Sequence, residues 1–225
     1  EQEGPRPDTL VMSATPIPRS LAMALYGDVD LSVLDELPPG RLPVKTALRM
    51  PDRRDGVYSF IDAQLAEGRQ AYIVYPLVTE SEKVDLLSAT EEFERLSTEV
   101  FPGRRLGLLH GQLKSAEKDR VMRAFLAGEL DLLVSTTVIE VGIDVGNATV
   151  MVIEHAERFG LSQLHQLRGR VGRGADESHC ILIAEPGEGS MERLKIFRDT
   201  SDGFEVARAD LRIRGQGDLF GAQQH

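Results

Sequence analysis

Short apolar runs rich in valine, isoleucine and leucine alternate along this chain with stretches whose apolar residues recur at helical spacing. That alternation marks βα units around a parallel sheet, because strands buried on both faces read as continuous apolar runs while crossover helices carry a single apolar stripe. The strands of the main series are "VKTALRM", "QAYIVYPLV", "RLGLLHG", "LDLLVST", "TVMVIEH" and "HCILIAE". Helical patterns lie between them near Gly56 to Glu67, Val84 to Val100, Ser115 to Ala127 and Leu161 to Leu167. The pattern predicts an α/β fold, a doubly wound parallel sheet of about six strands, an architecture whose ligands bind beyond the carboxyl ends of the strands.

Two flanking pieces differ from this series. Upstream, "TLVMSAT" (Thr9 to Thr15) reads as a strand and "RSLAMALYG" as a helix ended by Gly27. The proline and glycine density of "LSVLDELPPGRLP" then marks a boundary near Leu37 to Pro43. Downstream, the tail from Gly189 reads as two helices in a hairpin hinged at Ser201 to Gly203, followed by the glycine-rich "GQGDLFGAQQH". The expected division is residues 1–37 as the end of one domain, 38–188 as a complete α/β domain, and 189–225 as a helical hairpin leading into a further segment. The opening "EQEGPRPDTL" lacks Met and runs straight into a buried-type strand, so the chain is expected to be a piece of a longer protein.

Charge narrows the chemistry. With 26 Lys plus Arg against 36 Asp plus Glu the formal net charge is -10, so the chain as a whole repels phosphate backbones and any nucleic-acid contact must come from a local basic patch. The single cysteine, Cys180, allows no internal disulfide framework and no multi-thiolate zinc site, which suits a reducing cytosol; it reads as a small core residue. There is no basic-then-apolar leader and no run of 18 apolar residues, so a cytoplasmic protein with no membrane partner is expected.

Positive charge is concentrated in "QLRGRVGR", Gln166 to Arg173. On a helical turn the i,i+3 spacing of Arg170 and Arg173 would send both guanidinium groups to one side, and Gly169 with Gly172 would let another backbone approach. Two permanently charged planar forks suit phosphate oxygens, and in phosphoryl transfer such arginines stabilise the transition state. The plainer alternative is that they complement a helix carboxyl terminus, which needs neither the glycines nor three arginines.

"LLVSTTVIEVGIDVGNA" (Leu132 to Ala148) is the second signal. Thr137 with Glu140 fits the capping box of a short helix. Thr136 at the strand end suits a phosphate, and Gly142 with Asp144 suits a nucleotide and its ribose hydroxyl. In "LLHGQLKSAEKDRVMRAF", His110 and Gly111 follow another strand and precede a helix bearing Lys114, Lys118, Arg120 and Arg123. A histidine at a strand end is more often a satisfied structural group, and basic residues on a helix usually mark a solvated face. "SVLDEL" imitates the magnesium-binding end of a Walker B strand at Asp35 and Glu36, yet no G-x-x-x-x-G-K-[ST] loop occurs in the 225 residues, and the adjacent "LPPG" suits a linker better. The chain therefore holds half a nucleotide site.

Half a site that supplies arginines resembles the second RecA-like domain of superfamily 2 helicases. "SATPIPRSLAM" resembles helicase motif III, "STTVIEVGIDVGNATVMVIEHAERFGLSQLHQLRGRVGRG" resembles motifs V and VI, and "LLHG" resembles the segment before them. "GDVDLSVLDELPPGR" and "DGFEVARADLRIRGQGDLFGAQQ" are similar to the RecG family in particular, the latter resembling a translocation motif shared with Mfd-type motors. The resemblance implies that Ser13, Thr15 and Gln166 couple the nucleotide state to domain movement, that His110, Gly111 and Thr136 contact DNA, and that Gly142 and Asp144 contact nucleotide. It further implies arginine fingers at Arg170 and Arg173 and translocation-motif roles for Arg193, Arg214 and Gln224. ATP and Mg2+ would be bound mainly by a first RecA-like domain, and the partners would be replication forks and Holliday junctions, served by an intact, nucleoid-associated monomer. The chain departs from that pattern at Gly146, where proline is common, at His155, where an acidic residue is common, and at Gln223, Gln224 and His225, where "RQSG" or "RQTG" is common. A non-enzymatic docking module, a Mfd-type motor or an RNA helicase motor remain the competing readings.

Overall fold

A computed structural model describes residues 41–76, 82–136, 145–203 and 205–209, together with residues 10, 30, 32 and 212. The strand and helix expected between Thr9 and Gly27 lie outside the described residues. Strand β1 (Lys45–Arg49) is followed by a 3-10 turn at Pro51–Arg53 and helix α1 (Arg54–Ala66), then by β2 (Gln70–Tyr75). Helix α2 (Glu82–Arg95) continues into a π-turn at Leu96–Val100, and β3 (Leu106–Leu109), α3 (Ser115–Leu126) and β4 (Leu132–Thr136) follow. The chain then forms β5 (Ala148–Ile153), a 3-10 turn at Ala156–Arg158, α4 (Leu161–Arg168), β6 (His179–Ile183) and α5 (Glu188–Asp199).

All six strands are parallel, in the order β1-β6-β5-β2-β4-β3. The sheet is doubly wound. Alternate strand residues serve opposite faces, so Tyr72, Val74, Leu133, Met151, Ile153, Cys180 and Leu182 meet α3, α4 and α5, while Ala71, Ile73, Val134, Val152 and Ile183 meet α1 and the π-turn. Burial of β2, β4 and β5 on both faces is why their sequences read as unbroken apolar runs. Cys180 is a fully buried thiol whose acidity is suppressed by that burial, to a value of about 12. The tail bends as its sequence predicts: α5 ends at Asp199, and residues 205–209 are helical again with Val206 and Ala209 packed into the core.

The winding gives the sheet two distinct edges. Strand β2 lies between β4 and β5, and the chain leaves β2 toward β3 but leaves β5 toward β6, so the carboxyl ends of β2 and β5 form a switch point where a crevice opens. The amino edge holds the starts of the strands and the turns that feed them. There Gln70 donates to the carbonyls of Phe125 and Leu130 at 2.6 and 2.8 Å, and the β2–β5 register slips between Gln70 and Ala71.

Candidate nucleotide-facing and nucleic-acid-facing edges

At the carboxyl edge, a cavity of about 280 Å³ occupies the switch point, bounded by Tyr75, Pro76, Thr136, Glu154 and His155 from the strand ends and by Arg54, Tyr58, Ala89, Glu92 and Arg95 from α1 and α2. Thr136 is buried at the end of β4. Beneath the cavity Glu154, a buried carboxylate, accepts two hydrogen bonds from Arg54, at 3.1 and 2.9 Å, and one from the Tyr58 hydroxyl at 3.1 Å. Burial, then the Glu154 charge, push the Tyr58 phenol up to about 12. His155 adopts a left-handed backbone, φ 50° and ψ 46°, as it turns the chain out of β5. Asparagine, aspartate and histidine are the side chains that tolerate that region best.

His110 follows the end of β3, and its predecessor Leu109 lies opposite Ser135, so His110 and Thr136 sit on the same edge. Its Nδ1 is buried and has no hydrogen-bond partner among the described residues. Burial first, then the charge of Lys118, hold its pKa below the usual imidazole value. Gly111 is exposed in the following turn, with open space around its Cα.

Arg170 and Arg173 lie at the opposite, amino edge. The helical turn expected across them is not formed: α4 ends at Arg168, the next amides bond in the tighter i,i-3 pattern (Arg170 to the Leu167 carbonyl, 3.0 Å), and Gly172 at φ 74° stops the helix. A helix cannot pass through a left-handed residue, so a turn fixes where the two side chains go. Arg173 Nε donates to the Gly169 carbonyl at 2.8 Å, capping the helix end in the manner of the plainer alternative with one of its five N–H groups. Both guanidinium charges act on the same phenol: burial pushes Tyr72 up to about 12, against the pull of Arg170 and Arg173. Burial, and then the nearby Arg41, lower the Arg173 pKa.

The glycines serve the chain's own packing. A Cβ on Gly172 would lie 2.6 Å from Val44 Cγ2, and one on Gly174 would lie 2.5 Å from the Gly146 carbonyl oxygen, so the close approaches are to segments 42–44 and 145–147 of this chain. Gln166 is exposed on α4. Arg193 on α5 donates to the Glu157 carbonyl at 2.6 Å, joining the tail to the turn after β5. Ser13, Thr15, Asp35, Glu36, Thr137, Glu140, Gly142, Asp144, Arg214 and Gln224 lie outside the described residues.

A profile described as the helicase conserved C-terminal domain matches residues 54–175, which include both edges of the sheet. The chain belongs to that family. Among curated relatives it is similar to the ATP-dependent DNA helicase RecG of Thermotoga maritima, 58% identical over 224 residues that make up 99% of this chain and 29% of the relative. It is also similar to the RecG of Bacillus subtilis, 52% identical over 99% of this chain and 33% of the relative. A solved structure of RecG bound to a three-way DNA junction superposes with a TM-score of 0.80 at 57% identity, covering 94% of this chain and 28% of that one. The chain spans about a third of the length of the curated relatives it matches. The doubly wound sheet is thus the RecA-like fold of a helicase C-terminal domain.

Within this helicase C-terminal domain the first arginine of "QLRGRVGR" has a structural task that sequence reasoning did not separate from the other two. Arg168 is buried, and its Nη1 donates to the carbonyls of Phe197 at 3.0 Å and Thr200 at 2.8 Å. Its place on the apolar stripe of α4, in step with Leu161 and Leu164, is the signal that could have identified it. Arg41 was also missed, since it lies in the stretch read as linker.

Proposed function

We propose that this chain is the second motor lobe of an ATP-dependent helicase that translocates on double-stranded DNA and acts on branched DNA such as stalled forks and Holliday junctions. Residues 38–188 form the lobe, residues 1–37 finish a preceding lobe, and 189–225 begin the translocation element. The observation that carries the reading is the separation of the two edges. Arg170 and Arg173 project from one turn at the amino edge, near a common phenol and close to a further guanidinium, whereas His110, Gly111 and Thr136 occupy the carboxyl edge. An energy-consuming site and a strand-gripping site on opposite edges are what a motor requires. The 58% identity to a RecG helicase over 99% of the chain supports the same conclusion.

The amino edge fits the polyphosphate of a nucleotide, because its crowded guanidinium groups repel one another until an anion arrives. ATP and magnesium would be held mainly by the other lobe. Bound magnesium neutralises phosphate charge during transfer. Arg170 and Arg173 then stabilise the charge that develops on the transferred phosphoryl group, and closing and opening of the lobes around them moves the carboxyl edge along DNA. Gly142 and Asp144 contact the nucleotide. Ser13, Thr15 and Gln166 relay its state between lobes, and Arg193, Arg214 and Gln224 transmit closure to the translocation element.

Arg170→Ala in the full-length protein tests this. Turnover of ATP should fall on the order of 10³-fold, the scale set by arginine fingers, while binding of a three-way junction stays near the parent value. Unchanged turnover would return the docking-module reading. The isolated chain should show no magnesium-dependent, DNA-stimulated ATP hydrolysis.

A further inference from the structure

Arg41 stands at the start of the described lobe, and its Nε donates to the Gly172 carbonyl at 2.8 Å. Gly172 is the left-handed residue that sends the chain from Arg170 to Arg173, so this bond holds the hinge of the arginine turn itself. The residues after Arg41 are packed on the same turn: a Cβ at Gly172 would meet Val44 Cγ2 at 2.6 Å and the Leu42 carbonyl oxygen at 3.8 Å. The segment is anchored beyond that point, with the Lys45 amide donating to the Ser178 carbonyl at 2.9 Å.

Two neighbouring cations of this edge are committed to carboxylates. Lys45 pairs with Glu177 at 2.6 Å, and Arg69 makes a two-pronged pair with Asp176, with one arm at 2.7 Å. No carboxylate among the described residues pairs with Arg41, whose bond is to a neutral carbonyl. Its charge instead presses on Arg173, second only to burial in lowering that residue's pKa. Like charges gathered about one turn raise the free energy of the empty site and are relieved by an anion.

We propose that Arg41 is a third guanidinium of the phosphate-facing edge and the positioning residue that holds the Arg170–Arg173 turn. The inference rests on the reading of those two arginines as fingers. With its Nε on Gly172 and its charge felt at Arg173, Arg41 both fixes the turn and adds charge where negative charge builds during phosphoryl transfer.

The test uses the full-length protein with Arg41→Ala, Arg41→Lys and Arg170→Ala, measuring branched-DNA-stimulated ATP turnover and the affinities for ADP and for ADP with aluminium fluoride. Arg41→Ala should lower kcat by roughly tenfold or more and weaken the aluminium fluoride complex by a similar factor, with ADP affinity within about twofold, as removal of a transition-state donor does. Added guanidinium ion should restore part of that loss. Arg41→Lys should recover only a minor part, because a single ammonium cannot hold the carbonyl and face the phosphate together. If Arg41→Ala leaves turnover and the aluminium fluoride complex within about twofold of the parent while Arg170→Ala is inactive, the proposal is overturned and the finger reading stands. Equal weakening of ADP and ADP with aluminium fluoride, without rescue, also overturns it, since that pattern marks a general structural loss. An active Arg170→Ala removes the finger reading instead.

Discussion

The guanidinium carbon of Arg168 lies 4.2 Å from the centroid of the Phe197 ring, and Arg168 Nη1 donates to the Phe197 carbonyl at 3.0 Å. One side chain thus stacks on a residue of α5 and binds its backbone, while the same Nη1 reaches the Thr200 carbonyl and the Thr46 hydroxyl. Arg168 fastens the hairpin to the sheet domain, a task distinct from that of its neighbours two and five positions on.

Arg168→Met should therefore destabilise the chain by roughly 2–4 kcal/mol, because buried carbonyls lose their donor as well as a stacked cation. Arg170→Ala, half-buried in the turn, should change stability by no more than about 0.5 kcal/mol. Urea unfolding of both variants checks the contrast, and equal losses would show that Arg168 is no fastener.

The three glycines of the turn should respond differently to alanine. At Gly169, φ is -66° and a Cβ would meet only ordinary contacts from 3.4 Å, so Gly169→Ala should be neutral or stabilise by about 0.5 kcal/mol. Gly172→Ala forces a left-handed alanine into Val44, and Gly174→Ala drives a methyl against a backbone carbonyl. Each of those should cost about 1–3 kcal/mol. Thermal unfolding that ranks Gly169→Ala with the other two would contradict the described turn.

Alkaline pH should unfold the chain in a defined window. Tyr58 and Tyr72 ionise at about 12 in the folded chain, against an ordinary phenol value of 10.0, chiefly because both are buried. Burial raises Tyr75 as well. A phenol whose folded pKa is raised contributes stability that is complete below pH 10 and is lost as pH rises toward 12, on the order of 2–3 kcal/mol for each of the first two. Phenolate absorbance and circular dichroism should change together there. Ionisation of these tyrosines near pH 10 in a chain that is still folded would refute the prediction.

The acid side has the opposite sign. Burial, then the adjacent Arg168 charge, lower the His165 pKa, and burial also lowers His110 and His179. A base with a depressed folded pKa stabilises above the unfolded value of 6.5 and loses that contribution as pH falls through its folded value. Stability should decline as pH drops below 6.5, and His165→Gln should flatten the decline. An unchanged slope in His165→Gln would assign it to other groups.

Most of the fold was legible in the sequence because its signals are local. The six apolar runs became six strands, since a strand covered on both faces has no polar position to interrupt it. Helices α1, α3 and α4 fall within a few residues of their predicted ranges, and the break in the tail falls where its glycine and serine place it. Arginines, histidine and threonine at strand or helix ends could be picked out by position. The expectation of a helical turn across Arg170 and Arg173 was not met, because nothing in a run of letters says that α4 ends at Arg168 and that Gly172 takes a left-handed backbone.

By itself, the sequence determined the element order, the parallel sheet, the charge contrast and the absence of a phosphate loop, all of which depend on neighbouring residues or simple counts. Tertiary structure alone decided which of three adjacent arginines is buried, that Gly172 and Gly174 accommodate this chain's own segments, and that Arg41 reaches a carbonyl 131 positions away. The reason is physical: a guanidinium or a glycine has the same local preferences wherever it stands. Its role is set by the carbonyls, rings and charges that distant parts of the chain bring within a few ångströms.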